Sequence, residues 1–308
     1  WRDYGYFTQD ACWALLADVY LWRASMTGSK ADYEQVVNYA ERVIESKDKY
    51  YRRVNSDHLT QIDESDRYHL YQWSSNRFEP TPMYYIFVNG NSRESILEFQ
   101  YNEDNENGTL CSYLFRDGDD KSYSRLMASQ IFNTTANTDF ATKAFFSEDD
   151  YRFWAYLYDV NDENAMEQNI RKYATPDGNL PDNMESGSKG AQWKDGGYRS
   201  ANNFPQNWIV YRLTDVMLME AEARVQLAAD NDAEDEQLYK AFNLVQTVSK
   251  RSMKERSSDT LDVEQYLSKN DMELLVLSER QRELCFECKR WFDLVRYAYR
   301  HMDGVDAH

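Results

Sequence analysis

All five prolines of this 308-residue chain fall between Pro80 and Pro205, and eight of its eleven glycines lie in the same span. Proline removes a backbone donor and clashes with the preceding helical turn, and glycine adds chain entropy, so this span resists long helices. The two ends are free for them, which predicts a helical start and finish around a loop-rich middle.

The ends bear this out in pattern. Thr8 is placed to cap a helix through Ala11, Ala14, Leu15, Val19 and Tyr20 that stops near Gly28. Ser29-x-x-Asp32 then has the form of a capping box and opens a second helix with Val36, Ala40, Val43 and Ile44 on one stripe, giving a hairpin over 8–46. Between about 207 and 228 the chain is apolar nearly all round (Val210, Leu213, Val216, Met217, Leu218, Ala221, Val225), the pattern of a central, buried helix.

An acidic loop over 230–236 follows, then a helix with Leu238, Ala241, Phe242, Val245 and Val248 on one face. Ser268-x-x-Asp271 caps a third that is expected to reach about Glu287, and Trp291, Phe292, Val295 and Ala298 mark a fourth, so 207–300 reads as helical hairpins. Leu16-x-Asp18-Val19-x-Leu21 recurs as Leu213-x-Asp215-Val216-x-Leu218, as expected of a tetratricopeptide-like repeat. Across 47–206 one segment, Ser95 to Tyr101, alternates as a strand should. The expected fold is a single all-α domain over 1–308, with tetratricopeptide-like hairpins, a large irregular insertion and minor β structure. A long insertion between hairpins is where function concentrates.

With 35 Lys+Arg against 53 Asp+Glu the net charge is −18, which disfavours nucleic acid as a partner. No run of 18 apolar residues and no leader pattern is visible, and a start on Trp1 that enters a helix almost at once points to a longer precursor. Cys285-x-x-Cys288 has redox or metal spacing, but no second Cys or His pair stands nearby; two buried thiols on the helical face of Leu274, Leu277 and Leu284 is the simpler reading.

The remaining chemistry is acidic and aromatic. Glu279, Glu283 and Glu287 repeat along one helical face, and Glu220 and Glu222 lie in the central helix, so paired acids for glycoside hydrolysis are conceivable. Each has a base within helical reach (Glu220 with Arg224, Glu279 with Arg282, Glu283 with Arg280, Glu287 with Arg290), which favours structural ion pairs. No catalytic motif and no metal site is assigned. The acidic runs at 102–107 and 117–120 lack a calcium-loop frame and read as solvated loops.

Aromatic residues make up 15% of the chain, and several sit in the irregular parts: Trp73, Tyr84, Tyr85, Trp154, Trp193 and Tyr198, with Asn76, Arg77, Asn91, Lys194, Arg199 and Asn203 nearby. Flat rings bordered by amides and guanidinium groups suit the C–H faces and hydroxyls of sugars.

Two segments carry a resemblance. Tyr211-Arg212-Leu213-Thr214-Asp215-Val216-Met217-Leu218-Met219-Glu220-Ala221-Glu222-Ala223 fits R-x-x-D-x-x-L-x-x-A-E-A. The run Glu279-Arg280-Gln281-Arg282-Glu283-Leu284-Cys285-Phe286-Glu287-Cys288-Lys289-Arg290-Trp291-Phe292-Asp293-Leu294-Val295-Arg296 fits E-R-x-x-E-L-x-x-E-G-x-R-x-x-D-L-x-R, with Cys288 where the pattern has Gly. Together they resemble the SusD/RagB family of nutrient-binding surface lipoproteins of Bacteroidetes-type bacteria.

The resemblance implies a non-catalytic, cofactor-free glycan-binding protein on the extracellular face of the outer membrane. It would be held there by an N-terminal lipid anchor not present in this sequence, and would deliver oligosaccharide to a SusC-like TonB-dependent transporter. It also implies that an N-terminal part of the family's chain is absent. Peptide in place of glycan, as in RagB-like relatives, is the alternative; an α-helical glycoside hydrolase is more remote, and an intracellular tetratricopeptide scaffold fits the hairpins but not the aromatic insertion. Ligand residues vary within the family, so Trp73, Tyr84, Tyr85, Trp154, Trp193, Tyr198 and Arg199 are expected from their chemistry and not carried over by position.

Overall fold

The computed structural model describes residues 5–55, 65–73, 81–102, 104–105, 126, 128, 145–147, 149–157, 170–173, 205–229, 235–254, 257 and 260–302. Helix α1 (Gln9–Thr27) starts where the Thr8 hydroxyl accepts from the Ala11 amide at 3.2 Å, and it ends at Gly28 in the left-handed conformation (φ 68°). Helix α2 (Lys30–Val54) starts at Ser29, whose hydroxyl accepts from the Asp32 amide at 3.3 Å, and it runs well past residue 46. The added turns bury Lys47, whose ammonium donates to the carbonyls of Arg93 and Ser95 and ties α2 to the sheet.

Strand β1 (Ser95–Phe99) pairs antiparallel with β2 (Trp208–Arg212), Ser95 lying opposite Arg212 and Phe99 opposite Trp208. The helix expected from about 207 therefore begins only after five residues of strand. Trp208, Ile209, Val210 and Tyr211 are β-branched or aromatic and favour the pleated surface they join. Helix α3 (Tyr151–Tyr156) lies in the insertion.

Helix α4 (Leu213–Leu227) is the hub: every residue from Leu213 to Val225 is buried. One side packs on α1 and α2 through Val216, Met219 and Ala223 against Ala14, Val36 and Ala40. The other packs on α5 (Glu236–Lys250) and α6 (Lys269–Glu283) through Met217, Leu218 and Ala221 against Phe242, Val245 and Leu275. A third core, rich in Phe87, Phe146, Phe153, Trp154, Tyr156 and Tyr173, draws mostly on residues 73–173 and closes against Ile209 of β2 and Cys285.

The recurring Leu-x-Asp-Val-x-Leu segment opens two different environments. Leu213, Val216 and Leu218 are buried in α4, whereas Leu16 and Val19 of α1 are 36% and 52% exposed.

Helix α6 starts as expected, with the Ser268 hydroxyl accepting from the Asp271 amide at 3.1 Å, but it stops at Glu283 and not near Glu287. The chain then turns through Phe286 (φ 64°) and Cys288 (φ 60°), both left-handed. The position that the resemblance gives to glycine is thus one where glycine is favoured. Because the helix has already ended, Cys285 and Cys288 do not share a helical face: Cys285 is buried, Cys288 is exposed, and Leu274 is exposed as well. Helix α7 (Arg290–His301) also departs from expectation, turning Asp293 and Arg296 inward and leaving Trp291 and Phe292 exposed. Among the described residues, no helix is long and apolar enough to cross a membrane.

Candidate functional site

The acidic face of α6 is sealed by cations from distant segments. Glu283 accepts from Arg152 Nη1 at 3.0 Å, from Arg212 Nη1 at 2.6 Å and from Arg251. Glu287 accepts from Lys172 Nζ at 2.6 Å and Arg212 Nη2 at 2.7 Å, and Glu279 from Arg152 Nη1 at 2.6 Å. All are buried.

Two expected pairs form, Glu220 with Arg224 and Glu279 with Arg282. The pairs Glu283 with Arg280 and Glu287 with Arg290 do not: Arg280 instead meets Asp215 at 3.0 Å and Asp293 at 2.9 Å, and Arg290 donates to the Leu277 carbonyl at 3.1 Å. Glu287 lies past the end of α6, so helical spacing no longer relates it to Arg290; Glu283 and Arg280 share α6, but Arg280 is taken by Asp215 and Asp293 while Glu283 is satisfied by Arg152, Arg212 and Arg251 from distant segments.

Burial pushes the Glu283 carboxyl up, but Arg251, Arg212 and Arg152 outweigh it and hold the group well below the usual range. A glycosidase acid must hold a proton and face a cleft. These carboxylates are hydrogen-bonded to cations and shut away. Glu220 does hold a proton more tightly, raised to about 7 first by burial and then by the neighbouring Glu41 carboxylate, yet its side chain is closed off beneath Arg224. Among the described residues, no group of three His, Cys, Asp or Glu side chains is arranged to hold a metal ion. Most of the acidic runs at 102–107 and 117–120 lie outside the described residues.

The aromatic candidates separate. Trp154 is 1% exposed and Trp73 is 8% exposed, the latter stacked on Tyr151 with ring centroids 5.7 Å apart. Both are core residues of the insertion and offer no free ring face, because an insertion this rich in rings uses them to build its interior. Trp193, Tyr198 and Arg199, with Asn76, Arg77, Lys194 and Asn203, lie outside the described residues.

Tyr84 and Tyr85 stay half-buried in a π-helical turn, Tyr84–Val88. Such turns are rare and are often found at functional sites. Tyr85 stacks on Tyr71 (4.4 Å, 8°), and the Arg93 guanidinium lies 3.9 Å from the other ring's centroid. Arg93 also reaches Tyr51 (5.2 Å), which stacks on His69 (4.1 Å). His69 is anchored on Asp48 at 2.7 Å. A ladder of alternating rings and cations therefore runs from α2 to Tyr85, with Tyr84 edge-on at its end (5.7 Å, 74°). Each stacked or cation–π contact adds about 0.5–1.5 kcal/mol, enough to hold Tyr85 in a fixed orientation.

The chain leaving this turn builds an amide cluster. Asn91 and Gln100 exchange side-chain hydrogen bonds at 3.1 and 2.9 Å, and Asn207 donates to Gln100 at 3.2 Å and to Glu98 at 2.7 Å. Gly90 sits at φ 67°, where side chains are strained, and an added Cβ would stand 3.0 Å from the Asn207 amide nitrogen. Fixed rings and exposed amides are what a sugar-binding surface requires. Of this arrangement sequence reading found Tyr84, Tyr85 and Asn91 and missed Tyr71, Arg93, Gln100 and Asn207. The alternation of Tyr71 and Trp73 and of Phe99 and Tyr101 around polar residues was the available signal.

A family model described as the SusD family matches residues 34–307. No curated protein matches. Among solved structures, the chain is similar to a SusD superfamily protein from Parabacteroides distasonis ATCC 8503 (20% identity, 96% of this chain and 53% of that one, TM-score 0.55). It is likewise similar to one from Bacteroides thetaiotaomicron VPI-5482 (18% identity, 96% of this chain and 51% of that one, TM-score 0.57). A third, surface glycan-binding protein A from Bacteroides thetaiotaomicron, aligns at 17% identity over 96% of this chain and 56% of that one, with TM-score 0.50. The chain thus spans little more than half the length of these structures. The mostly helical fold, the two motif-bearing segments now seen as α4 and the α6–α7 turn, and the family match over 34–307 together place this chain in the SusD family.

Proposed function

We propose that this chain belongs to a non-catalytic, cell-surface glycan-binding protein of an outer-membrane uptake system, held at the extracellular face by a lipid anchor and passing oligosaccharide to a SusC-like TonB-dependent transporter. Family membership carries the reading, and the glycan-binding name of one structural neighbour agrees with it. The geometry is compatible on two counts: Tyr85 is held in a stack on Tyr71 while the chain leaving its turn carries an amide cluster, and the acidic residues that hydrolysis would need are occupied by arginines. Trp193, Tyr198 and Arg199 are proposed as further ligand contacts on their chemistry alone.

The test is titration of the protein with a panel of polysaccharides and peptides, followed by heat and by intrinsic fluorescence, with product analysis of every mixture. Saturable glycan binding without product is expected. Binding of peptides alone would move the assignment to a peptide-uptake protein, and release of oligosaccharide would overturn the non-catalytic assignment.

A further inference from the structure

Away from the Tyr84–Tyr85 turn, a groove of about 420 Å³ lies on the outer face of the α1–α2 hairpin, lined by Trp13, Arg42, Glu45, Lys49, Tyr50 and Arg53. Positions 42, 45, 49 and 53 form one stripe of α2. Three cations against one carboxylate is an unusual local balance on a chain of net charge −18.

The cations are available. The Arg42 guanidinium lies 5.8 Å from the Trp13 ring centroid and 5.6 Å from that of Tyr39, and its Nε donates to the neutral Asn38 side chain at 3.3 Å. Arg53 lies 5.5 Å from the Tyr50 ring. Among the described residues neither arginine meets a carboxylate. Lys49 does pair with Glu45 at 2.6 Å, but both are exposed, and an exposed i,i+4 pair contributes little and is readily exchanged for a ligand anion. Arg42 and Arg53 stand three turns apart, about 16 Å along the axis, each beside an aromatic ring.

A ligand matching this stripe has anionic groups at more than one point along an extended body and apolar faces between them. We infer that the groove is a binding site for acidic oligosaccharides, with sugar rings lying on Trp13 and Tyr50 and their carboxylate or sulfate groups on Arg42 and Arg53. The choice of a saccharide rests on the glycan-binding reading above; the choice of an acidic one rests on the groove.

The test uses isothermal titration at low salt with an oligogalacturonate, its methyl-esterified counterpart, a sulfated oligosaccharide of equal length and a poly-glutamate peptide. The expected result is binding of the oligogalacturonate, the sulfated sugar or both, at least tenfold tighter than the ester, and loss of at least tenfold in the R42A/R53A double variant. That variant should keep the parent melting temperature, since both side chains are exposed, and Tyr85→Ala should leave acidic-sugar binding intact. Which of the two sugars binds assigns carboxylate or sulfate. Equal binding of acid and ester, no binding of either acidic sugar, binding of poly-glutamate alone, or an unaffected R42A/R53A variant would each overturn the inference. Neutral glycan binding that Tyr85→Ala weakens would, in those cases, leave the general glycan-binding proposal standing; failure of every saccharide would remove both.

Discussion

Arg212 donates from Nη1 to Glu283 Oε1 at 2.6 Å and from Nη2 to the Glu283 main-chain carbonyl at 2.8 Å, so a single guanidinium fixes both the side chain and the C-terminal end of α6 to β2. Removing one partner of a buried pair leaves an uncompensated charge and costs about 3–5 kcal/mol. Arg212→Met is therefore expected to lower the unfolding free energy by that amount in urea titrations. A loss below about 1 kcal/mol would mean that water or Lys172 replaces the guanidinium.

Glu220 supplies a pH dependence of the opposite sign to most carboxylates. Its folded pKa lies at about 7, above the ordinary 4.5. Below pH 4 it is protonated folded or unfolded; between 4.5 and 7 the unfolded chain loses the proton and the folded chain keeps it, so this group's contribution to stability falls as pH rises. Glu220→Gln should gain on the parent by on the order of 2 kcal/mol between pH 5 and pH 8. Asp215 is held at about 2, with burial outweighed by Lys289 and Arg280, and its contribution is full above pH 4 and lost as pH falls through 2. Chemical denaturation across pH 2–8 checks both, and an E220Q difference that does not change with pH would contradict the first.

The turn after α6 predicts two results for its cysteines. Cys288 sits at φ 60°, where a residue with a Cβ costs about 1 kcal/mol relative to glycine, so Cys288→Gly should raise stability by about that much. Burial pushes the Cys285 thiol up to about 12, while Cys12 and Cys288 are exposed. Alkylation of native protein at pH 8, read by peptide mass spectrometry, should modify Cys12 and Cys288 and spare Cys285 until the protein unfolds.

Trp154 and Tyr85 are expected to part company on substitution. Trp154→Ala empties the centre of the aromatic core and should cost about 3–5 kcal/mol, making it a stability variant. Tyr85→Ala removes the outer rung of the ladder and should cost about 1–2 kcal/mol while weakening neutral glycan binding. Thermal melts and titrations of the two variants side by side distinguish these roles.

Local signals in the sequence survived folding well. Thr8, Ser29 and Ser268 cap the helices they were expected to cap, Gly28 ends α1, and the all-apolar run became the buried α4. Non-local ones did not. Strand β2 reads as one piece with α4 because no glycine, proline or capping side chain stands at Arg212 where the helix begins, and its strand character comes from pairing with β1, more than 100 residues earlier in the chain.

The ion pairs show the same limit. Helical spacing located Glu220 with Arg224, but the cations on Glu283 come from Arg152, Arg212 and Arg251, none of them within helical reach. Nor does a sequence separate a ring that is buried in a core from one left half-buried at the surface. Trp154 and Tyr85 look alike in their local settings and differ through what the rest of the chain places over them.

Glu283 joins its three arginines across separations of 131, 71 and 32 residues. Closing chain loops of such lengths costs entropy before the contacts repay it, so these contacts are expected to form after the helical hairpins. Contacts of that kind govern how fast a protein comes apart more than how fast it assembles. The cluster at the end of α6 is therefore expected to act as a kinetic latch: Arg212→Met should speed unfolding more than it slows refolding, as the two arms of a denaturant chevron would show.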